Sequence, residues 1–177
     1  MAKTGGKIAC LGWGSLIWRN GDLHCDGVWR PDGPELSVEF ARRSRGGEVT
    51  LVIVEDRPRV PVLWSIMEVP SLNDAIESLR VREGGTKREW IGVWSSDCTP
   101  TDRHHECVAA WASAKGLSAV IWTALPAKWG DDDRVPQLPE ILAYLSGLAP
   151  ETRALARTYI LRAPTQIETV YRFALAA

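Results

Sequence analysis

The chain has 177 residues, of which 45% are apolar and 24% are charged, and its formal net charge is -1. Because no basic excess is available to neutralise a phosphate backbone, this composition argues against nucleic acid as the main partner. No apolar run approaches the roughly 20 residues that span a bilayer, and the N-terminal sequence MAKTGGK lacks the apolar core of a signal peptide. The sequence therefore predicts a soluble cytoplasmic protein, with residues 1–177 forming a single domain around one core.

The first half of the chain has mainly the pattern of β-structure. Apolar, alternating or β-branched stretches predict strands at 7–11, 36–44, 49–54, 62–69 and 90–94, the second of them half-buried. A turn at 45–48 joins the second and third strands, and the segment RPRVP, residues 57–61, breaks the chain before the fourth. One helix is predicted after Ser71, a suitable N-cap, and it ends at the paired glycines 84 and 85. This prediction puts Glu83 at the C-terminus of the helix.

The second half alternates helices and strands. Thr99 is predicted to cap a helix in which Pro100 occupies the first position and Gly116 follows the end. A strand at 118–125, two helices near 138–146 and 151–162, and a last strand at 167–175 complete the chain. Because many strands are neighbours in sequence, antiparallel pairing is favoured. The expected fold class is α+β, a small mixed, mostly antiparallel β-barrel with flanking helices.

A glycine-rich turn interrupts the first strand. Gly12, Trp13, Gly14, Ser15 and Leu16 stand where a buried strand would be expected to continue. Glycine permits backbone angles that are closed to other residues, so successive N–H groups can converge on one anion, such as a carboxylate or a phosphate. A tight turn or bulge that binds nothing has the same pattern, so the residues by themselves leave both interpretations open.

The stretch CLGWGSLIW, residues 10–18, resembles the signature of the gamma-glutamylcyclotransferase-like superfamily, particularly its ChaC-like branch. In that branch a strand ends in Tyr-Gly-Ser followed by Leu and often Ile-Trp. Similar strands, a helix and the sequence Arg82-Glu83-Gly84 follow in the family's order, so the resemblance covers residues 7–95. It implies a metal-free enzyme without a cofactor, in which the α-amine of a γ-glutamyl compound attacks its own γ-carbonyl and 5-oxoproline is released.

The resemblance also implies roles for individual residues. Glu83 corresponds to the catalytic acid and base, while the turn residues Gly12, Trp13, Gly14, Ser15 and Leu16 correspond to the site for the substrate's α-carboxylate. Trp13 departs from the family pattern, which usually has tyrosine at this position, and the sequence GGTKREW after Glu83 lacks a tyrosine often found there. The substrate therefore stays open among glutathione, γ-glutamyl amino acids and γ-glutamylamines.

Two alternatives accompany this hypothesis. The protein could be a non-catalytic member of the same fold that binds a small acidic metabolite or a protein partner. Glu83 could be an ordinary glutamate at a helix end, either solvated or paired with Arg80 or Arg82. A carboxylate at a helix C-terminus faces the negative end of the helix dipole, which is unfavourable unless something compensates. That position argues weakly for a function.

Two further groups of residues suggest other sites. The sequence HHEC, residues 104–107, puts His104 and Cys107 three residues apart on a helix face, where zinc ligands can lie, but zinc needs more ligands than these. The basic turn RRSRGG, residues 42–47, either meets a substrate carboxylate or forms a solvated hairpin. We therefore expect no metal site. The resemblance implies a small-molecule γ-glutamyl compound as the partner, and the oligomeric state is left open.

Overall fold

The computed structural model describes residues 6–177, which form seven strands, five α-helices and a 3₁₀ turn at Arg88–Trp90. Residues 1–5, most of the N-terminal segment MAKTGGK, lie outside the described residues. The strands are β1 (Ile8–Gly12), β2 (Glu35–Arg43), β3 (Val49–Ile53), β4 (Arg59–Pro61), β5 (Leu63–Ile66), β6 (Ile91–Ser95) and β7 (Ala119–Thr123). The helices are α1 (Leu72–Arg82), α2 (Arg103–Ala114), α3 (Leu138–Gly147), α4 (Pro150–Arg162) and α5 (Arg172–Ala176). Within residues 6–177, no helix has the length and apolar character needed to cross a membrane.

The strands form two sheets. The first has the order β5-β1-β7-β6 and the second the order β3-β2-β4. β1 runs parallel to β7, and the other pairings are antiparallel, so the predicted α+β class with mostly antiparallel pairing is confirmed. The closed barrel that the sequence led us to expect is not found among residues 6–177, since the two sheets have separate strand orders.

The core joins both sheets to the helices. Its largest apolar cluster includes Leu11 from β1, Phe40 from β2 and Ile160 from α4. β1 is buried along its whole length because it lies inside the first sheet between β5 and β7. The glycine turn after β1 therefore starts at the edge of the core, where backbone groups can be held away from bulk water.

The C-terminal segment differs from the prediction. The expected strand at 167–175 is wrong: this segment forms turns followed by α5. Glu39 of β2 is fully buried and accepts hydrogen bonds from the Thr169 hydroxyl at 2.6 Å and the Tyr171 N–H at 3.2 Å. Because this contact covers the second face of β2, the strand is buried on both faces and not half-buried as predicted.

Several element boundaries also differ. α2 begins at Arg103 with Asp102 as its N-cap, whose carboxylate accepts the His105 N–H at 2.9 Å, so the predicted cap at Thr99 and helical start at Pro100 are wrong. The segment predicted as a break, residues 57–61, contains the short strand β4, which pairs with β2. The N-cap at Ser71 is confirmed, as are the two helices after residue 137.

Candidate functional site

A cavity of about 940 Å³ lies between three segments: the glycine turn after β1, the β2–β3 hairpin and the C-terminal end of α1. Its volume is in the range of small-molecule sites. The charged side chains on its wall are mainly basic: Arg19, Arg42, Arg43, Arg45, Arg82 and Lys87 against Asp22, Glu48 and Glu83. This excess of positive charge favours an anionic ligand.

The glycine turn contributes main-chain donors to the cavity wall. The turn is closed by a hydrogen bond from the Ile17 N–H to the Gly14 carbonyl at 3.1 Å. The N–H groups of Trp13, Gly14 and Leu16 donate to no acceptor within residues 6–177. An unpaired N–H group removed from water is costly. These donors are therefore suited to an anion that enters the cavity.

The two glycines of the turn are required for space and not for backbone angles. Neither Gly12 nor Gly14 has a positive φ, so the expectation of backbone angles closed to other residues is not met at these positions. A Cβ at Gly12 would lie 2.6 Å from the Trp29 ring, and one at Gly14 would overlap the Tyr159 hydroxyl. Both positions exclude a side chain because another residue packs directly against the backbone.

Trp13 anchors the turn to the second sheet. Its indole Nε1 donates to the Leu51 carbonyl of β3 at 3.1 Å, and the side chain is buried. The indole N–H is thus already used within the protein. The hydroxyl of Tyr159 lies beside the same turn.

Sequence reasoning missed Tyr159, which reaches the cavity from α4. Its hydroxyl oxygen accepts the Leu51 N–H at 3.2 Å. Burial raises the pKa of this phenol to about 12, although the backbone N–H groups of Leu51 and Ser15 oppose the rise. The hydroxyl is therefore protonated at neutral pH and can donate a hydrogen bond into the cavity. No local pattern marks this tyrosine, since its partners are distant in sequence.

Glu83 lines the same cavity as the glycine turn. It follows the last residue of α1, and Gly84 and Gly85 end the helix with φ values of +76° and +75°, as predicted. Its Oε1 accepts from Arg82 Nη1 at 2.6 Å and from the Thr123 hydroxyl at 3.3 Å. Oε2 has no hydrogen-bond partner in the part of the chain that the structure describes, and the side chain is 14% exposed. The pairing with Arg82 expected of a helix-end glutamate is present, but the pair faces the cavity.

Arg82 connects Glu83 to the turn. Its Nη1 donates to Glu83, while its Nη2 donates to the Ser15 hydroxyl at 3.2 Å and to the Arg19 carbonyl at 2.7 Å. The planar guanidinium carries several donors in a rigid arrangement, so one side chain can hold two segments in a defined relative position. The carboxylate and the turn are thereby held together although more than 60 residues separate them.

The ring of His105 in the HHEC motif has partners within the protein. The His105 ring contacts the Val93 carbonyl at 2.6 Å through Nε2 and the Thr101 hydroxyl at 2.9 Å through Nδ1. Among the described side chains, no three from His, Cys, Asp and Glu are arranged to hold a metal ion. The two His105 ring nitrogens are thus engaged by oxygen atoms of the protein.

No protein-family model matches the chain, and no curated protein matches its sequence. The chain is similar to a solved structure, the crystal structure of a selenomethionine-labelled gamma-glutamyl cyclotransferase specific to glutathione from yeast. The TM-score is 0.49 and the identity 16%, over 97% of this chain and 95% of that chain. At this level, the similarity assigns no role to any side chain of this protein.

Proposed function

We propose that this protein is a γ-glutamyl cyclotransferase, which releases 5-oxoproline from a γ-glutamyl compound. The observation that carries the proposal is the Arg82 guanidinium, which donates both to the carboxylate of Glu83 and to the hydroxyl of Ser15. A candidate acid and base and a candidate anion site are thereby joined on one cavity wall. This is the pair of groups that the reaction needs.

The α-carboxylate of the substrate would bind at the turn formed by residues 12–16. The N–H groups of Gly14 and Leu16 have no acceptor in residues 6–177, and both residues line the cavity. The Tyr159 hydroxyl beside Gly14 would add a neutral donor. Backbone donors that are held in place by the fold bind an anion without the entropy cost of ordering long side chains.

Glu83 would transfer the protons. In its ionised form, the free Oε2 takes a proton from the substrate ammonium, because only the neutral amine is a nucleophile. The amine then attacks the γ-carbonyl carbon and forms the five-membered ring. Glu83 gives this proton to the nitrogen of the amide bond as that bond breaks. Ionised again, Glu83 takes the second proton from the ring nitrogen and passes it to the released amine, which leaves as an ammonium. The products are 5-oxoproline and the released amine.

Attack within one molecule explains how few groups the site needs. When nucleophile and carbonyl belong to the same bound substrate, correct folding of that substrate supplies much of the rate. The turn and Glu83 would hold the two charged groups on the α-carbon of the glutamyl group, the carboxylate and the ammonium, while its side chain folds back so that the amine faces the γ-carbonyl. No other covalent chemistry is required of the protein.

The test is incubation of the protein with glutathione, γ-glutamyl-alanine and γ-glutamyl-ethylamine, followed by detection of 5-oxoproline by mass spectrometry. We expect 5-oxoproline from at least one of the three, at a rate proportional to protein concentration. If none yields 5-oxoproline while any of them raises the melting temperature of the protein, the non-catalytic binding alternative replaces the enzyme proposal.

A further inference from the structure

The guanidinium of Arg42, near the end of β2, has no close counter-ion. It lines the cavity, is partly buried, and donates from Nη1 to the Pro126 carbonyl at 2.8 Å. In the described part of the chain no carboxylate lies within 4.0 Å of it. Partial burial lowers the pKa of Arg42, and Asp133, which lies farther away, opposes this effect. A cation that has lost part of its water shell without a paired anion is suited to bind an anionic ligand.

Trp90 brings a second cation to the same part of the wall. The guanidinium carbon of Arg42 lies 5.8 Å from the centre of the Trp90 ring, and the Lys87 ammonium lies 5.3 Å from it. Both distances are within the range of cation–π contacts. Lys87 also approaches Glu89 at 3.7 Å, but these two side chains are 68% and 69% exposed, so the pair contributes little. We call Arg42, Lys87 and Trp90 the Trp90 basic site.

Arg19 and Arg43, two other basic side chains of the wall, have partners within the protein, and Arg45 is exposed. Arg19 pairs with Glu48 at 3.2 Å. Arg43 packs over the Trp129 ring at 5.3 Å and the Tyr144 ring at 4.2 Å, neither of which lines the cavity. The Trp90 basic site is therefore the better candidate for a ligand anion.

The segment after β7 connects this site to Glu83. Thr123 donates its hydroxyl to Glu83, the Ala124 N–H donates to the Trp90 carbonyl at 2.7 Å, and the Pro126 carbonyl accepts from Arg42. Three residues of chain span at most about 11 Å. Thr123 and Pro126, which contact Glu83 and Arg42 respectively, are therefore close neighbours, and both charged groups line the same cavity.

We propose that the Trp90 basic site binds a carboxylate carried by the amine that the reaction releases. The substrate is then a γ-glutamyl amino acid or a γ-glutamyl peptide and not a γ-glutamylamine. This inference rests on the proposed cyclotransferase activity and adds the class of its substrate. The glycine turn holds the α-carboxylate of the glutamyl group, and Arg42 holds the carboxylate of the leaving group.

The test compares two substrates that differ by a single carboxylate, γ-glutamyl-alanine and γ-glutamyl-ethylamine. We expect kcat/KM for 5-oxoproline release to be about 10- to 100-fold higher with γ-glutamyl-alanine, the range expected for hydrogen bonds to a charged group. The Arg42→Gln variant should lower this ratio about tenfold, mainly through the KM for γ-glutamyl-alanine. Arg42→Lys, which keeps the charge, should have an intermediate ratio.

Arg43→Gln is the matched control, because Arg43 is the next residue in β2 but its side chain packs on the Trp129 and Tyr144 rings. In this variant the ratio of the two kcat/KM values should equal that of the parent protein. Partial unfolding of a variant would lower both rates equally and leave the ratio unchanged. A ratio near one in the parent protein, or one that Arg42→Gln does not alter, overturns the inference while the cyclotransferase proposal stands. If only glutathione yields 5-oxoproline, its kcat/KM should fall with Arg42→Gln and not with Arg43→Gln, and an unchanged value overturns the inference. If neither these two compounds nor glutathione yields 5-oxoproline, the proposed function fails and this inference fails with it.

Discussion

Glu39 and Glu83 are both largely removed from water, but their surroundings differ. Glu39 is fully buried, and both of its oxygens are occupied: Oε1 accepts from the Phe40 N–H and Thr169, while Oε2 accepts from Tyr171 and lies 3.9 Å from Arg57. Glu83 is 14% exposed, and its two contacts fall on Oε1. A carboxylate with both oxygens engaged by the protein stabilises the fold, whereas one with an unengaged oxygen at a cavity can bind and transfer a proton.

The largest expected effect in this comparison of Glu83 with Glu39 is the loss of turnover when Glu83 is replaced. Glu83→Gln keeps the shape of the side chain but cannot accept the substrate proton, so we expect kcat for 5-oxoproline release to fall by about 10²- to 10⁴-fold. The free energy of unfolding should change little. Glu89→Gln, an exposed neighbour on the 3₁₀ turn, is the control and should keep the parent rate. A Glu83→Gln protein with undiminished turnover would remove Glu83 from the mechanism.

Glu39 should show the opposite behaviour. Glu39→Ala leaves the buried N–H of Tyr171 and the hydroxyl of Thr169 without their acceptor, so we expect the free energy of unfolding to fall by about 3 kcal/mol. Urea denaturation followed by tryptophan fluorescence measures this. Glu35→Ala, at the exposed start of the same strand, should change stability by less than about 0.5 kcal/mol. Equal stabilities of the two variants would show that Glu39 does not anchor the C-terminal segment.

A smaller effect on stability is expected where Gly14 packs against the Tyr159 hydroxyl. Gly14→Ala puts a methyl group against the Tyr159 hydroxyl, and we expect it to cost about 1–3 kcal/mol of stability and to raise the KM of the substrate. Removal of the hydroxyl in Tyr159→Phe makes room for that methyl. The double variant should therefore lose less stability than the sum of the two single variants, measured by a double-mutant cycle. Strict additivity would show that the two groups do not meet.

The smallest expected effect is a loss of stability at alkaline pH, caused by ionisation of the Tyr159 phenol. Because burial raises the pKa of Tyr159 from 10.0 to about 12, the folded protein holds the phenol proton more tightly than the unfolded chain does. This contribution to stability is complete below pH 10 and is lost as the pH rises to 12; by pH 11 the loss is about 1 kcal/mol. Urea denaturation at pH 8 and pH 11 should show this loss in the parent protein relative to Tyr159→Phe. The same pH dependence in both would mean that another group is responsible.

Local patterns in the sequence determined much of the fold. The apolar run of β1, the serine cap of α1, its terminal glycines and the periodicity of α3 and α4 all act within a few residues, so they can be recognised without the structure. The same kind of evidence put Glu83 at the end of α1. The glycine turn was likewise found from its residues, although its glycines turned out to serve packing and not backbone angles.

Contacts between distant segments were decided by the tertiary structure alone. Buried Glu39 holds the Thr169 hydroxyl and the Tyr171 N–H just before α5, a contact that no window of sequence reveals. Tyr159 reaches the turn from α4, and Arg42 meets Trp90 on the cavity wall for the same reason. Local propensity fixed elements such as β1, α1, α3 and α4, because its energies arise between neighbours in the chain. Which side chains face one cavity depends on packing energies that exist only once the elements have come together.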